Sequence, residues 1–249
     1  MKAKTIKAAL RKKIDDWLSS IDDESVKKLA EKNTIVTGGA IASMLLQEPV
    51  NDYDLYFTDE KTTEAIANYY VAKFNGDNSY GVSVKNENGR IRIVTSSGHR
   101  GETAGDMEVL TDPGDIEDTY QEAEQKALET EDDGKPRYRP VFLSTNAITL
   151  TNKIQLVLRF YGKPDEIHEN YDFVHCTNYW TCDGELTLRK EALEALLARE
   201  LRYVGSKYPV CSIIRLRKFI ARHWTINAGQ ILKMIMQINE LDLTDPKVL

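Results

Sequence analysis

Two acidic residues near the start of a short apolar segment offer the clearest chemistry in this sequence. Asp52 and Asp54 are separated by one residue on a segment that we expect to be a strand. Because strand side chains alternate between faces, the two carboxylates should project together while Tyr53 points the other way. Two like charges held this close are costly unless a cation lies between them. Mg²⁺ takes such oxygen ligands together with substrate phosphates, so the pair predicts a divalent metal site.

A pair of glycines precedes these acids. A short apolar strand over residues 34–37 runs into Gly38-Gly39, and residues 40–46 are typical of one or two helical turns. Glycine lets a backbone approach a ligand closely, and the free amides at a helix start favour an anion. A phosphate-binding turn followed by a metal-binding acid pair indicates chemistry on a nucleoside triphosphate.

The glycine turn, the short helix and the Asp-x-Asp strand, in this order, resemble the active-site signature of the DNA polymerase β-type nucleotidyltransferase superfamily. Their spacing is most similar to that of class II CCA-adding tRNA nucleotidyltransferases and bacterial poly(A) polymerases. A second patch of resemblance lies at residues 172–176, 201–205 and 214–219, which read DFVHC, LRYVG and IRLRKF. Nucleotidyltransferase-like proteins in phage genomes share the first and last of these elements.

The resemblance implies an α+β fold of the polymerase β-like nucleotidyltransferase type, with a mixed sheet, flanking helices and a C-terminal helical subdomain. It also implies an NTP as substrate and two Mg²⁺ ions that bridge three carboxylates and the triphosphate. The acceptor would be a hydroxyl, such as the 3′ end of a tRNA-like RNA. Asp52 and Asp54 would supply two of the carboxylates as metal-binding and catalytic residues.

The sequence offers more than one candidate for the third carboxylate. Asp172 fits best, because apolar residues flank it on an expected strand over residues 171–180. Asp106 and Glu108 are the alternatives, although they lie in an acidic segment that is poor in apolar residues. Asp172 could instead pair with an arginine of a C-terminal helix.

Basic residues of the second patch could bind the triphosphate. Arg215 and Lys218 lie three residues apart on one helical face, and arginine suits a bidentate contact with phosphate. Ser43 and Thr37 could also donate to a phosphate, and Ser43 is the better candidate because it follows the glycine turn. The alternative for the basic helix is pairing with the acidic segment.

Two departures from the family pattern concern the nucleotide pocket. The family has Arg-Asp where this sequence has Ala42-Ser43, and Arg-Arg where it has Asn170-Tyr171. No counterpart of the long neck, body and tail that hold tRNA follows. We therefore expect a catalytic head with an altered pocket, whose substrate need not be tRNA.

Other residues are expected to play structural or weaker roles. His175 should be a core or hydrogen-bonded histidine, and Trp180 and Trp224 should be core residues, with base stacking as the alternative. Lys207 and Arg222 are weaker candidates for contact with nucleic acid.

Composition bounds the class of protein. The 249 residues carry a net charge of −6, which argues against indiscriminate nucleic-acid binding. No apolar run approaches the ~20 residues of a membrane span, so we expect no membrane partner. Three cysteines without a CxxC motif favour a reduced, cytoplasmic setting and disfavour a zinc site.

We expect a catalytic domain over residues 1–180 and a helical subdomain over 181–249. An acidic insertion over residues 99–136, with a short helix at 116–128, should be a mobile surface segment. Hydrophobic periodicity predicts helices at 4–21, from Asp22 or Asp23, and at 62–74, a hairpin of 82–84 with 90–94, strands at 140–143, 147–150, 153–160 and 171–180, and helices from 186 onward.

The leading hypothesis is a Mg²⁺-dependent nucleotidyltransferase that moves an NMP from an NTP to a hydroxyl. One alternative is an inactive nucleotide-binding or regulatory protein with the same fold. The other is a toxin-like transferase that modifies tRNA or a protein. The intact acid pair favours an enzyme, whereas the missing basic pairs favour the inactive protein.

Overall fold

A mixed sheet organises the chain in the computed structural model, which describes residues 1–76, 81–95, 109–110, 137–207 and 209–241. Numbered along the chain, the strands are β1 Thr34–Thr37, β2 Tyr53–Phe57, β3 Val82–Glu87, β4 Arg90–Thr95, β5 Val109–Leu110, β6 Pro140–Ser144, β7 Ala147–Leu150, β8 Ile154–Val157, β9 Tyr179–Thr181, β10 Leu186–Thr187, β11 Glu200–Leu201 and β12 Thr225–Ile226. Across the sheet the strand order is β10-β9-β1-β2-β8-β7-β6-β5. The β2–β8 and β5–β6 pairs are parallel and the other neighbours in the sheet are antiparallel.

Helices flank this sheet, which confirms the expected α+β class. Within the described part of the chain they are α1 Ala3–Leu18, α2 Glu24–Asn33, α3 Gly39–Leu46, α4 Glu60–Asn75, α5 Pro164–His168, α6 Lys190–Ala198, α7 Pro209–Ala221 and α8 Ala228–Asn239. The N-terminal helices and the hairpin fall where periodicity predicts them. Asp23 caps α2, because its side chain accepts hydrogen bonds from the backbone N–H groups of Ser25 and Val26.

The core lies on one face of the sheet. The apolar stripe of α1 packs there, with Ile6, Leu10 and Ile14 fully buried. Along β2, Leu55 and Phe57 join this core. The residues that alternate with them must point to the other face, which therefore carries Asp54 and Tyr56.

A second, smaller core joins the C-terminal helices to α3. It includes Phe173, Leu201, Trp224 and Met234, together with Ala42 of α3. Because α3 also contributes to the main core, the helix that begins at the glycine turn is held from two sides. This packing fixes the C-terminal helices beside the candidate site.

The predicted strand over residues 171–180 is wrong. Its first part runs beside residues 202–204, where the N–H of Val204 donates to the carbonyl of Asp172 and the N–H of Val174 donates to that of Arg202. A 3₁₀ turn, Val174–Cys176, follows, and only Tyr179–Thr181 joins the sheet. Helix also does not begin at residue 186, because Leu186–Thr187 pairs with β9 as an edge strand.

Other expectations remain open. Apart from the two-residue strand β5, the acidic insertion lies outside the described residues. The same holds for its expected short helix and for Asp106 and Glu108. The division into domains at residue 180 stays a prediction. No helix within the described ranges is long and apolar enough to span a membrane.

Candidate active site

The glycine turn and the acid pair meet at the end of β1. Thr37 lies opposite Asp54 in the antiparallel β1–β2 register, so the next residue, Gly38, reaches the carboxylate. A Cβ atom on Gly38 would lie 2.6 Å from Asp54 Oδ2. Gly38 also has a φ of 85°, in the region that L side chains rarely adopt. Both the space and the backbone angle therefore require glycine here.

The N-terminus of α3 lies directly beside this contact. The helix begins at Gly39, where a Cβ would meet no atom within 4 Å. Its first backbone N–H groups have no partner inside the helix, and the helix dipole adds positive potential there. An anion can therefore bind next to the Asp54 carboxylate. Ser43 is partly exposed one turn further along.

Thr37 is excluded as a phosphate donor by its contacts. Its fully buried hydroxyl donates to the carbonyl oxygen of Asn178 at 2.9 Å. His168 Nε2 lies 2.8 Å from the hydroxyl oxygen of Thr37. Because the hydroxyl proton goes to Asn178, the ring must carry its proton on Nε2 and donate it to Thr37. The hydroxyl thus fixes the end of β1 instead of facing a ligand.

Three carboxylates influence the partly buried thiol of Cys176. Burial, together with the negative charges of Asp54 and Asp172, raises the pKa of Cys176 to about 12. Asp52 acts in the same direction with a smaller effect. Because such effects fall with distance, all three acids that the sequence singled out lie near this side chain. Burial also raises the pKa of Asp52 itself.

One face of α7 turns its positive charges toward these acids. Arg215 donates to Asp172 Oδ2 in an ion pair whose carboxylate is 5% exposed. Arg222 and Lys218 oppose the burial-driven rise in the pKa of Asp52. Arg215 and Lys218 lie three residues apart in α7, and Arg222 follows four residues later, directly after the helix ends at Ala221. The structure therefore pairs Arg215 with Asp172, and Lys218 and Arg222 act on Asp52, whereas phosphate binding by Arg215 and Lys218 stays a prediction.

The residues fit a divalent cation in part. Carboxylate oxygens are the donors that Mg²⁺ prefers, and Asp172 Oδ1 is buried without a hydrogen-bond partner. Among the described residues, however, no group of three or more His, Cys, Asp and Glu side chains is arranged to hold a metal ion. Because Oδ2 of Asp172 accepts from Arg215, a cation bound at this carboxylate would compete with the arginine for its charge. The oxygen donors of Asp52, Asp54 and Asp172 therefore fit the chemistry of Mg²⁺.

Aromatic residues lie next to the site, and no pattern in the sequence indicates them. The Tyr171 hydroxyl lies 3.6 Å from the position of a Cβ on Gly38. Burial, Tyr56 and Asp54 all raise the pKa of Tyr171, so the phenol stays protonated beside the carboxylate. Tyr171 stands where the resembling family has an arginine.

His175 belongs to the core. Its ring is 2% exposed and lies 4.4 Å from that of Trp224 and 4.8 Å from that of Phe219, measured between centroids. Burial lowers its pKa to about 4, so it is neutral at physiological pH. Trp180 and Trp224 are buried as well, as expected.

A family comparison covers most of the chain. The model of the Gabija anti-defense 2 family matches residues 8–199. This range includes the glycine turn, the acid pair and Asp172. Comparison with curated proteins gives no match.

Solved structures give more distant likenesses. The CCA-adding enzyme of Thermotoga maritima in complex with tRNA is 11% identical with a TM-score of 0.45, over 91% of this chain and 45% of that one. The Bacillus stearothermophilus CCA-adding enzyme in complex with CTP is 12% identical with a TM-score of 0.43, over 90% and 43%. The chain thus spans less than half the length of these structures. At such values the likeness concerns the fold alone.

Proposed function

The chain belongs to the Gabija anti-defense 2 family, and we propose that it is a nucleotidyltransferase that transfers an NMP from an NTP to a hydroxyl. One observation carries this proposal. The carboxylate of Asp54 lies against Gly38, at the start of a helix whose free amides favour a phosphate. A metal-binding oxygen and an anion site are therefore adjacent, as a metal-bound triphosphate requires.

The chain's own residues would divide the work between the acids and the cations. Asp52, Asp54 and Asp172 would hold Mg²⁺, which supplies positive charge to the attacking hydroxyl and the leaving pyrophosphate when it is bound. The amide of Gly39, with Ser43, would position phosphate oxygens, whereas the N–H of Gly38 already donates to the carbonyl oxygen of Cys176 at 3.1 Å. The new bond joins the acceptor oxygen to the α-phosphorus as the α–β phosphoanhydride bond breaks.

The basic face of α7 would take the remaining charge. Arg215 and Lys218 already lie beside the acids, and Arg222 joins them. A triphosphate would compete with Asp172 for Arg215, because the arginine donates to one oxygen of Asp172, whereas phosphate can accept two hydrogen bonds and carries more charge. Binding would therefore move Arg215 from Asp172 to phosphate and leave Asp172 for the metal.

The family name points to the biological setting. We propose that this transfer of an NMP counteracts Gabija defence. The acceptor would be a nucleic acid, a protein or a small molecule. A nucleotide-binding protein without turnover is the second candidate. It is favoured by one observation, namely that no preformed group of three metal-binding residues exists in the described part of the chain.

An incorporation assay separates these candidates. The protein is incubated with Mg²⁺, total RNA or lysate, and each NTP labelled at its α-phosphate. Transfer predicts label in one macromolecular or small-molecule fraction, and no label with Asp54→Asn or with EDTA. Binding of NTP without label in any fraction would support the inactive protein instead.

A further inference from the structure

A polar cavity of about 270 Å³ lies at the end of β8. Three cationic side chains line it, Arg90, Arg159 and Lys207, together with the amide side chains of Asn88 and Asn170. Its described lining contains no acidic residue. We name it the cationic cavity. Three positive charges around one space repel each other, so an anion between them is favourable.

An aromatic wall completes the cavity. The Phe160 ring has Arg159 Cζ at 5.5 Å and Lys207 Nζ at 5.8 Å from its centroid. The Tyr161 hydroxyl donates to the carbonyl of Gly89 at 2.7 Å, which ties the turn of the β3–β4 hairpin to the end of β8. The cations are thus carried by three separate segments that the fold holds together.

One carboxylate lies close to the wall without lining the cavity. Glu60 Oε2 is 3.2 Å from the Tyr161 hydroxyl, and its other oxygen accepts from Asn86 at 2.6 Å. Both of these partners are neutral, so Glu60 keeps its negative charge. It offsets part of the positive charge of the cavity lining.

One wall of the cationic cavity lies on the same side of the sheet as the acids. Gln155 is opposite Asp54 in the parallel β2–β8 register, and Arg159 comes two residues after the end of β8. Phe160 packs against the cluster that contains Tyr56, which shares its face of β2 with Asp54. The chain also connects the cavity to the acids directly, since Asn170 lines the cavity and Asp172 follows two residues later.

We infer that the cationic cavity binds a phosphate group of the acceptor, which makes that acceptor a nucleotide or a nucleic acid and not an unmodified protein. This inference rests on the proposed function. Arginine provides bidentate contacts to phosphate, and the amide groups provide neutral donors beside them. One wall of the cavity and the acids lie on the same face of the sheet, at different positions along it. An acceptor anchored there by phosphate can therefore extend its hydroxyl toward Asp54.

Binding measurements test the cavity without requiring turnover. Fluorescein-labelled oligouridylate is titrated against the wild type, Arg90→Gln and Lys207→Gln, and unlabelled AMP is used as competitor. Lys85→Gln is the matched control, because Lys85 is exposed on the same hairpin and does not line the cavity. Melting curves verify that each variant is folded. Each cavity variant should weaken binding by about tenfold, the effect of losing one charge-assisted hydrogen bond, whereas the control should not.

The measurements distinguish a nucleic-acid phosphate from a free nucleotide. They also distinguish failure of the cavity proposal from failure of the proposed function. Weaker oligouridylate binding in the cavity variants identifies a nucleic-acid phosphate, and weakening confined to AMP identifies a free nucleotide. Either result without any NMP transfer by the wild type leaves the cavity proposal standing and contradicts the proposed function. Unchanged binding of both probes in the cavity variants, or equal weakening in Lys85→Gln, would overturn the cavity proposal even if NMP transfer occurs.

Discussion

Arg215 donates to the buried carboxylate of Asp172, although 43 residues separate them along the chain. The acid proposed as the third metal ligand is therefore already paired with the arginine proposed to bind the triphosphate. The structure shows Asp172 as the partner of a helical arginine, which is one of the two roles considered in the sequence analysis, and its role as a metal ligand stays a proposal. Because Oδ1 of Asp172 has no hydrogen-bond partner, Arg215 and a metal ion would compete for the charge of this carboxylate.

This competition predicts opposite effects of arginine removal with and without metal. Arg215→Gln should lower the free energy of unfolding by roughly 1–3 kcal/mol without Mg²⁺, because it leaves a buried carboxylate without this cation. It should also increase the stabilisation by Mg²⁺ alone, because Asp172 is then accessible to the ion. Melting curves with and without Mg²⁺ measure both effects.

Arg217→Gln is the control for this experiment, since Arg217 is exposed on the same helix. It should change neither quantity. Equal Mg²⁺ stabilisation of Arg215→Gln and the wild type would assign Asp172 a structural role only.

The close contact of Gly38 with Asp54 predicts a strict requirement for glycine. Gly38→Ala should destabilise the fold by about 1–3 kcal/mol, because an L residue is strained at this φ and its Cβ would collide with Asp54 Oδ2. The displaced carboxylate should also reduce NMP transfer. Chemical denaturation and the incorporation assay measure these two effects.

Gly39→Ala provides the matched comparison for stability, because a Cβ at this position meets open space. We expect its unfolding free energy to equal or slightly exceed that of the wild type. Equal losses of stability in both alanine variants would contradict the geometry described for the turn.

Buried histidines predict a pH dependence of stability. Burial lowers the pKa of His168 and of His175 to about 4, whereas an unfolded histidine titrates near 6.5. The unfolded chain therefore binds more protons between these values, so stability is fully present above pH 6.5 and is lost as the pH falls toward 4. Each histidine contributes on the order of 1.4 kcal/mol per unit by which its pKa is lowered.

Denaturation curves at several pH values check this dependence. His175→Met should flatten it, because the side chain keeps its volume and loses its titration. His223→Asn should not, since His223 is exposed and asparagine tolerates its φ of 63°. An unchanged slope in His175→Met would contradict a neutral, buried ring.

The sequence reveals those parts of the site that depend on neighbouring residues. Asp52, Asp54 and Gly38 lie within one strand–helix–strand unit, whose alternation and glycine positions are local properties. The partnership of Thr37 with His168 spans 131 residues and depends on how the strands and α5 pack, so no spacing indicates it. The segment at Asp172 was mistaken for a strand, because its apolar neighbours suit a sheet while its backbone pairs with residues 202–204.

The raised pKa of Asp52 predicts how the stability of the fold responds when this carboxylate is neutralised. Burial raises its pKa above the ordinary value of 3.8, so its ionised form destabilises the fold increasingly as the pH rises through and above that value. Asp52→Asn should therefore hold or raise the melting temperature at neutral pH without Mg²⁺, although it abolishes NMP transfer. A marked loss of metal-free stability would indicate a structural carboxylate instead.

The central claim is that the acid pair and the glycine turn bind a metal-bound NTP. Melting temperatures of the wild type and Asp54→Asn, measured with Mg²⁺ and each NTP in turn, test it most directly. We predict that at least one Mg²⁺–NTP raises the transition of the wild type in a concentration-dependent way, and that Asp54→Asn largely loses this shift. A wild type that no NTP stabilises, or an equal shift in Asp54→Asn, would contradict the claim.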